Sequence, residues 1–317
     1  VLAPAIAYAE QGVPLTTVNG DFIAHNRHIL AQFPTSAQIF LPGGTVPQPG
    51  TVLRQTDLAQ SLRMIAAAGQ EVFYRGDLAE RLSQIVAQHD GLLTRQDLAD
   101  YRVAWEDPIS TTYRGYDVYV PPPNSSAFQI LETLNILAGY GLDRLDYATP
   151  ETLHLLMEAV KLIVTDRVAY AGDPEHHPIP LERLLARDYA QAQRQRIDRQ
   201  RASVVCGERA MAERYAGVLR PGVPASYANG LTTHLATADA AGNVVTLTQT
   251  LGTAFGCGMV LGDTGIFLNN MAHWFEIDAT LASPNLIGPW KRVDFCLAPM
   301  QVFRDGAFYL SLGTPGS

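Results

Sequence analysis

The feature that most constrains the fold is a change of pattern near residue 230. Before it, apolar residues recur at helical spacing, as in residues 58–66. After it, apolar and polar residues alternate as in strands, as in residues 244–251. The segment between the two parts, residues 220–230, is rich in proline, glycine and small residues, which indicates an exposed loop. The sequence therefore predicts an α+β chain whose β-rich part covers residues 232–317.

Several elements have specific boundary signals. Thr94 precedes a short helix at Gln96–Asp100 like a cap, and Pro150 opens a long helical run. A strand over residues 113–120 is predicted to end at the proline-rich residues 121–126. The remaining predicted strands all lie in the last part of the chain: 232–238, 244–251, 259–261, 265–268, 299–303 and 307–312.

Composition excludes some classes of function. The formal net charge is −8 and lysine and arginine do not cluster, so nucleic acid is not an expected partner. The apolar runs are far shorter than the roughly 18 residues of a membrane helix, so no membrane span is expected in this stretch. The chain starts at Val1 and stops at Ser317 inside a turn, so we expect both ends to lie within a longer precursor. The localisation is left open.

The cysteines and histidines give no sign of a metal site. Cys206, Cys257 and Cys296 are widely spaced and form no CxxC pair, which argues against a disulfide framework or a zinc site. The pair His176-His177 and the single His273 have no second ligand at suitable spacing. No metal is therefore expected.

The candidate reaction centre is Gly230-Leu231-Thr232-Thr233-His234, where a hydroxyl stands between a loop and a strand. A threonine hydroxyl is a poor nucleophile unless a base lies beside it. A threonine at a new N-terminus has such a base in its own α-amine, whose reference pKa is about 7.7–8.0. Cleavage of the Leu231–Thr232 peptide would create this arrangement, and the uncut chain would be an inactive precursor.

Six stretches of this chain follow one another in a characteristic order: EVFYRGDLAERL (71–82), GLLTRQDLADY (91–101), TYRGYDVYVPPPNSS (112–126), TTHLATADAAGNVVTLTQTLGTAFGCGMV (232–260), GDTGIFLNN (262–270) and GTPGS (313–317). In these stretches the chain resembles the gamma-glutamyltransferase (glutathione hydrolase) family of N-terminal nucleophile hydrolases. The resemblance covers essentially the whole chain and marks it as a divergent, truncated member.

The resemblance implies an αββα four-layer sandwich, here incomplete at both ends. It also implies a precursor that is cut into a large-subunit-like part, residues 1–231, and a small-subunit-like part, residues 232–317, which stay together as one fold. No organic cofactor and no metal are implied.

The family's catalytic residues can be placed by the same resemblance. The nucleophile falls on Thr232, and the threonine that hydrogen-bonds its hydroxyl falls on Thr250. The backbone N–H groups of the oxyanion hole fall on Gly316 and Ser317, where the family has two glycines. Because the donor is a backbone N–H, serine can replace glycine if its φ and ψ permit.

The substrate pocket departs from the family pattern. Two adjacent serines that hold the glutamyl carboxylate are matched by Phe295 and Cys296. The asparagine, glutamine and aspartate that hold the α-amino group are matched by Gly252, Met271 and Trp274. A zwitterionic head group among such side chains would lose hydration without gaining partners. The family's carboxylate-binding arginine belongs to a segment that precedes Val1.

The predicted function is that of a gamma-glutamyltransferase-like amidohydrolase or acyltransferase. Its expected substrate is a small-molecule amide such as a gamma-glutamyl compound, with water or an amine as acceptor. One alternative keeps the same centre in an acylase that takes apolar or dicarboxylic acyl amides. A second alternative is a non-processed, catalytically inactive homologue that binds a ligand.

Overall fold

The structure, a computed structural model, describes residues 1–142, 148–203 and 230–315, except for the side chain of Leu231. Most of the predicted connecting loop, residues 220–229, lies outside the described residues. Cys206, Gly316 and Ser317 also lie outside them.

Helices dominate the first part of the chain and antiparallel strands the last part. The helices are α1 (Ala3–Gln11), α2 (Thr17–His25), α3 (Arg27–Leu30), α4 (Pro34–Phe40), α5 (Thr56–Ala68), α6 (Gln70–Tyr74), α7 (Asp77–Gln88), α8 (Arg95–Asp100), α9 (Phe128–Leu137), α10 (Pro150–Tyr170), α11 (Leu181–Leu184) and α12 (Arg187–Arg194). The strands are β1 (Val13–Pro14), β2 (Val52–Leu53), β3 (Ile109–Tyr113), β4 (Tyr116–Val120), β5 (Gly230–Ala238), β6 (Val244–Thr253), β7 (Met300–Arg304) and β8 (Ala307–Leu312). Short 3-10 turns lie at Pro42–Gly44, Gly262–Thr264, Met271–Trp274 and Ala279–Leu281.

Two predicted helix starts are confirmed, together with their physical cause. The Thr94 hydroxyl accepts a hydrogen bond from the Asp97 N–H, and the Asp97 carboxylate accepts one from the Thr94 N–H, so a capping box opens α8. The Thr149 hydroxyl accepts from the Thr152 N–H at 3.2 Å and caps α10, with Pro150 in its first turn.

A four-stranded antiparallel sheet has the order β3-β4-β7-β8. The predicted hairpin of residues 299–303 and 307–312 is confirmed as β7 and β8. The single strand predicted over residues 113–120 is wrong, because it is the end of one hairpin strand and the whole of the next. Arg114 and Gly115 form the turn between β3 and β4, with φ of 53° and 82°. Such positive φ values suit a two-residue hairpin turn, and the alternation of side chains hid it.

A second β layer is the two-stranded ribbon of β5 and β6, which confirms the predicted hairpin. The strands predicted at 259–261 and 265–268 are wrong: only one isolated bridge joins Val260 to Phe267. Two backbone hydrogen bonds flank this bridge, from the Leu261 N–H to the Ile266 carbonyl at 2.9 Å and from the Leu268 N–H to the Met259 carbonyl at 3.0 Å, but the pairing does not extend into a regular ladder. The outer backbone groups of Val260 bind side chains. Its N–H donates to the Ser36 hydroxyl at 2.8 Å, and its carbonyl accepts from the Thr35 hydroxyl at 2.7 Å.

The layers stack in the order helices, sheet, ribbon. One face of the sheet packs on α9 through a cluster that includes Val120, Leu131 and Val302. On the other face, the Ser311 hydroxyl of β8 lies 2.7 Å from the Thr246 hydroxyl of the ribbon. Helix α10 packs against α9 on the outside, so the molecule is a mixed α+β structure, as predicted.

Helices α2 to α4 pack beside the end of β6. Their cluster joins Ile23, Leu30 and Phe40 to Val260. The Phe40 ring lies 5.3 Å from the Phe255 ring, just beyond the end of β6. None of the helices in the described part of the chain is both long and apolar enough to cross a membrane.

One carboxylic acid in the helical layer is buried. Glu132 of α9 is only 2% exposed, and neither of its side-chain oxygens has a hydrogen-bond partner among the described residues. Burial, together with the nearby charge of Asp166, raises the pKa of Glu132 to about 9. Glu132 is therefore a neutral acid at neutral pH.

Candidate active site

The two threonines assigned from the sequence face each other across the ribbon. Thr232 of β5 and Thr250 of β6 are partners in the antiparallel register, and His234 and Thr248 are the next pair on the same face. His234 Nδ1 lies 2.8 Å from the Thr248 hydroxyl. This face of the ribbon therefore carries a row of polar side chains that begins at Thr232.

A bulge in β6 lies beside this pair. Gly230 pairs with Thr253 and Thr232 with Thr250, so Leu251 and Gly252 together oppose the single residue Leu231. The Gly252 N–H folds back and donates to the Thr250 hydroxyl at 2.9 Å. The ladder thus changes at the peptide where cleavage is predicted.

Gly252 is required by local geometry. Its φ is +95°, and a Cβ there would collide with Oδ1 of Asn270. The Asn270 amide is held in place by Thr253, whose N–H donates to Asn270 Oδ1 at 3.1 Å and whose hydroxyl accepts from Asn270 Nδ2 at 3.2 Å. The Asn270 side chain thus fills the space that a side chain at position 252 would take.

Thr232 lies at two cavities. The first, which we call the Arg167 cavity, has a volume of about 580 Å³. Its described lining is mostly apolar or small and comprises Ile130, Arg167, Thr232, Thr248, Cys296, Leu297, Ala298, Met300, Leu312, Gly313 and Thr314. The second, the Phe22 cavity, has a volume of about 650 Å³. Its described lining is Leu15, Asn19, Phe22, Ile23, Phe40, Leu53, Thr232, Thr233, Gln249, Thr250, Leu251, Thr253, Ala254 and Phe255.

Arg167, which lines the first cavity, belongs to an ion pair that sequence reasoning missed. Arg167 in the last turn of α10 reaches Asp294 Oδ2 with both Nε and Nη2, each at 3.0 Å. Asp294 is 7% exposed, and its Oδ1 has no hydrogen-bond partner among the described residues. Burial raises the pKa of Asp294, and the positive charge of Arg167 opposes this rise.

The segment that carries Asp294 and Cys296 is anchored by a second ion pair. Arg292 donates to the buried Asp173 through Nη2 at 2.9 Å and to Glu106 through Nη1 at 3.1 Å. Burial acts to raise the pKa of Asp173, but hydrogen bonds from the backbone and side chain of Arg292 outweigh it and lower the pKa. This wall of the cavity is therefore tied to the residues that follow α10.

Comparison with known proteins gives the family. A family model described as Gamma-glutamyltranspeptidase matches residues 1–317. The chain belongs to this family. It is 37% identical over 318 residues to the Acylase ACY 1 proenzyme of Pseudomonas sp. (strain SE83), a match that covers 100% of this chain and 54% of that protein. It is 33% identical over 326 residues to the Glutathione hydrolase proenzyme of Escherichia coli (strain K12), again covering 100% of this chain and 54% of the relative.

The solved structure of an acylase shares the fold of this chain. The cephalosporin acylase from Bacillus halodurans superposes with a TM-score of 0.83 and 32% identity, covering 98% of this chain and 54% of that one. The chain therefore spans about half the length of the relatives that it matches.

The pocket residues that were assigned by family resemblance are only partly brought together. Cys296 is exposed and lines the Arg167 cavity with Thr232. Phe295 is half-buried, and its carbonyl accepts from the Ser126 N–H at 2.9 Å. Gly252, Met271, Trp274 and Phe295 are absent from the described linings of both cavities at Thr232.

Met271 and Trp274 nevertheless lie near the end of β6. The 3-10 turn Met271–Trp274 follows Asn270, whose N–H donates to the Leu251 carbonyl at 2.9 Å. Trp274 is half-buried, and its ring lies 5.8 Å from the His273 ring. In the described part of the chain, no three His, Cys, Asp or Glu side chains are grouped to hold a metal ion.

Gly316 and Ser317, which family resemblance assigns to the oxyanion hole, lie outside the described residues, so this assignment stays a prediction. Thr314, two residues before Gly316, lines the Arg167 cavity.

Proposed function

We propose that this chain carries the reaction centre of a gamma-glutamyltransferase-like amidohydrolase that cleaves itself between Leu231 and Thr232. The observation that carries the proposal is the place of Thr232. It is in register with Thr250, borders a bulge at the predicted cleavage point, and lies at two cavities of substrate size. Both relatives described above are named as proenzymes, which supports processing of the precursor.

Cleavage would give Thr232 a free α-amine. This amine would accept the proton of the Thr232 hydroxyl while the oxygen adds to the substrate carbonyl. The tetrahedral intermediate would then collapse, the amine would return the proton to the leaving nitrogen, and an acyl ester would remain on Thr232. Water or an amine would attack this ester, release the acyl group and restore the hydroxyl.

Two further groups have roles in this scheme. The Thr250 hydroxyl, directly across the ribbon, would orient that of Thr232. The backbone N–H groups of Gly316 and Ser317 would bind the oxyanion, and loss of one such donor typically costs about 2.7–4 kcal/mol of transition-state stabilisation.

The proposed substrates are gamma-glutamyl (glutathione-type) amides or related acyl amides. A second candidate, an acylase for apolar or dicarboxylic acyl amides, is favoured by the apolar wall of the Arg167 cavity. Ile130, Leu297, Met300 and Leu312 contribute to this wall, and Cys296 supplies a thiol where the family pattern has a hydroxyl. A gamma-glutamyl anilide and a glutaryl anilide, which lacks the α-amine, separate the two candidates by their relative turnover.

The decisive experiment is an intact-mass measurement on the protein at its natural length. The wild type is expected to give two species, one of which begins at Thr232, and Thr232→Ala a single uncut and inactive species. Thr237→Ala is the matched control, because Thr237 is an exposed residue of the same strand. A wild type that stays in one piece while it turns over substrate would refute the mechanism, and one that is uncut and inactive would favour the binding homologue.

A further inference from the structure

The Arg167 cavity combines an apolar wall with a single charged group. Of its described lining residues, only Arg167 is charged, and the side chain of Arg167 is 36% exposed. A charge at an apolar wall is costly unless it is paired, and the ion pair of Arg167 with Asp294 offsets that cost.

The buried Asp294 accepts hydrogen bonds from only part of the Arg167 guanidinium. Both contacts, from Nε and from Nη2, go to the same oxygen of Asp294. A guanidinium carries five N–H donors in a rigid planar fork. Nη1 and the second N–H of Nη2 have no partner among the described residues, and they form the end of the fork that suits a bidentate carboxylate.

Asp294 also fixes the direction of Arg167. It is nine-tenths buried, and its segment is tied down by the contact of Arg292 with Asp173. Since the Nε edge is held, the guanidinium cannot swing freely, and less rotamer entropy is lost when a ligand binds.

We infer that Arg167 binds a carboxylate of the substrate and thereby determines specificity at Thr232. This inference rests on the proposed function, because it assumes that the cavity receives the amide on which Thr232 acts. The carboxylate belongs either to the acyl group, as in a dicarboxylic acyl amide, or to the leaving amine. Both sources present the same chemistry to Arg167.

The test uses two matched pairs of anilides with the protein at its natural length. The first pair is glutaryl para-nitroanilide and its neutral counterpart, in which a primary carboxamide replaces the free carboxylate. The second pair is butanoyl para-nitroanilide with and without a carboxylate on the aniline ring. Arg167→Met and Arg167→Lys are compared with the wild type, and Arg187→Met, at an exposed position outside the cavity, is the control.

For one pair, Arg167→Met is expected to lower kcat/KM on the charged member by about 10- to 100-fold, mainly through KM. Turnover of the neutral member should change little. On the charged member, kcat/KM of Arg167→Lys should lie between those of the wild type and Arg167→Met, because lysine keeps the charge but loses the planar fork. The pair that responds identifies the source of the carboxylate. Equal losses on charged and neutral members, or no loss on either, would overturn the inference.

Binding measurements keep the inference separate from the proposed function. In calorimetric titrations, the wild type should bind glutarate more tightly than the neutral glutaramide, and Arg167→Met should remove the difference. If no anilide is hydrolysed but this difference is seen, the proposed activity fails and the inference about Arg167 stands. If the wild type does not distinguish glutarate from glutaramide, the inference fails even where turnover is seen.

Discussion

The buried acid Glu132 is expected to make the free energy of unfolding depend on pH. Its pKa is about 9 in the folded protein and 4.5 as an ordinary glutamic acid. Between these values the folded state holds a proton that the unfolded state has released. The free energy of unfolding therefore falls as the pH rises through this window, by about 1.4 kcal/mol per pH unit.

Glu132→Gln removes this titration and keeps the shape of the neutral acid. From pH 6 to pH 8, the stability of the variant relative to the wild type should rise by about 2.7 kcal/mol, the energy of about two pKa units. At about 2–4 °C per kcal/mol, the difference in Tm should grow by roughly 5–10 °C over that range. Other titrating groups cancel in the comparison, because both proteins carry them.

The assay is thermal and urea unfolding at both pH values. Glu182→Gln serves as the matched control, because Glu182 is exposed and its variant should follow the wild type at both pH values. If Glu132→Gln and the wild type differ by the same amount at pH 6 and pH 8, then Glu132 is ionised in the folded protein and the reasoning about its burial is wrong.

Two further predictions concern the ribbon. Thr250→Ser should keep most activity, whereas Thr250→Ala should lower kcat by about 10-fold or more through loss of the orienting hydroxyl. Thr250→Ala should also lower the free energy of unfolding by about 1–3 kcal/mol, because the Gly252 N–H loses its acceptor. Equal activity of Thr250→Ser and Thr250→Ala would exclude the orienting role. Gly252→Ala should be more destabilising in urea unfolding than Gly242→Ala. Both positions have φ near +90°, a strain of about 1–2 kcal/mol for alanine, but only at Gly252 does a Cβ meet another side chain, that of Asn270. Equal losses would show that Asn270 yields without cost.

Local signals accounted for much of the fold. The alternation in residues 244–251 predicted β6, and the Thr94 and Pro150 signals marked the starts of α8 and α10. These features depend on neighbouring residues, so one sequence suffices to find them. The turn at Arg114-Gly115 was missed because its residues continued the alternation of the flanking strands.

The site was less accessible to sequence reasoning. The positions of Thr232 and Thr250 followed from family resemblance, and the hairpin explains why they meet. The pairing of Arg167 with Asp294 joins residues 127 positions apart, and nothing local in either segment indicates it. The Asn270 side chain occupies the space beside Gly252, and this too is visible only in the three-dimensional structure.

The central sheet has a consequence for a cut chain. Strand β4 precedes the Leu231–Thr232 peptide and β7 follows it, and the two are hydrogen-bonded neighbours in the middle of the sheet. Hydrolysis of that peptide would therefore produce a non-covalent heterodimer whose two polypeptides share one sheet. Separating them would expose the backbone groups of both strands and the core around Val302, so assembly and folding would be one and the same equilibrium.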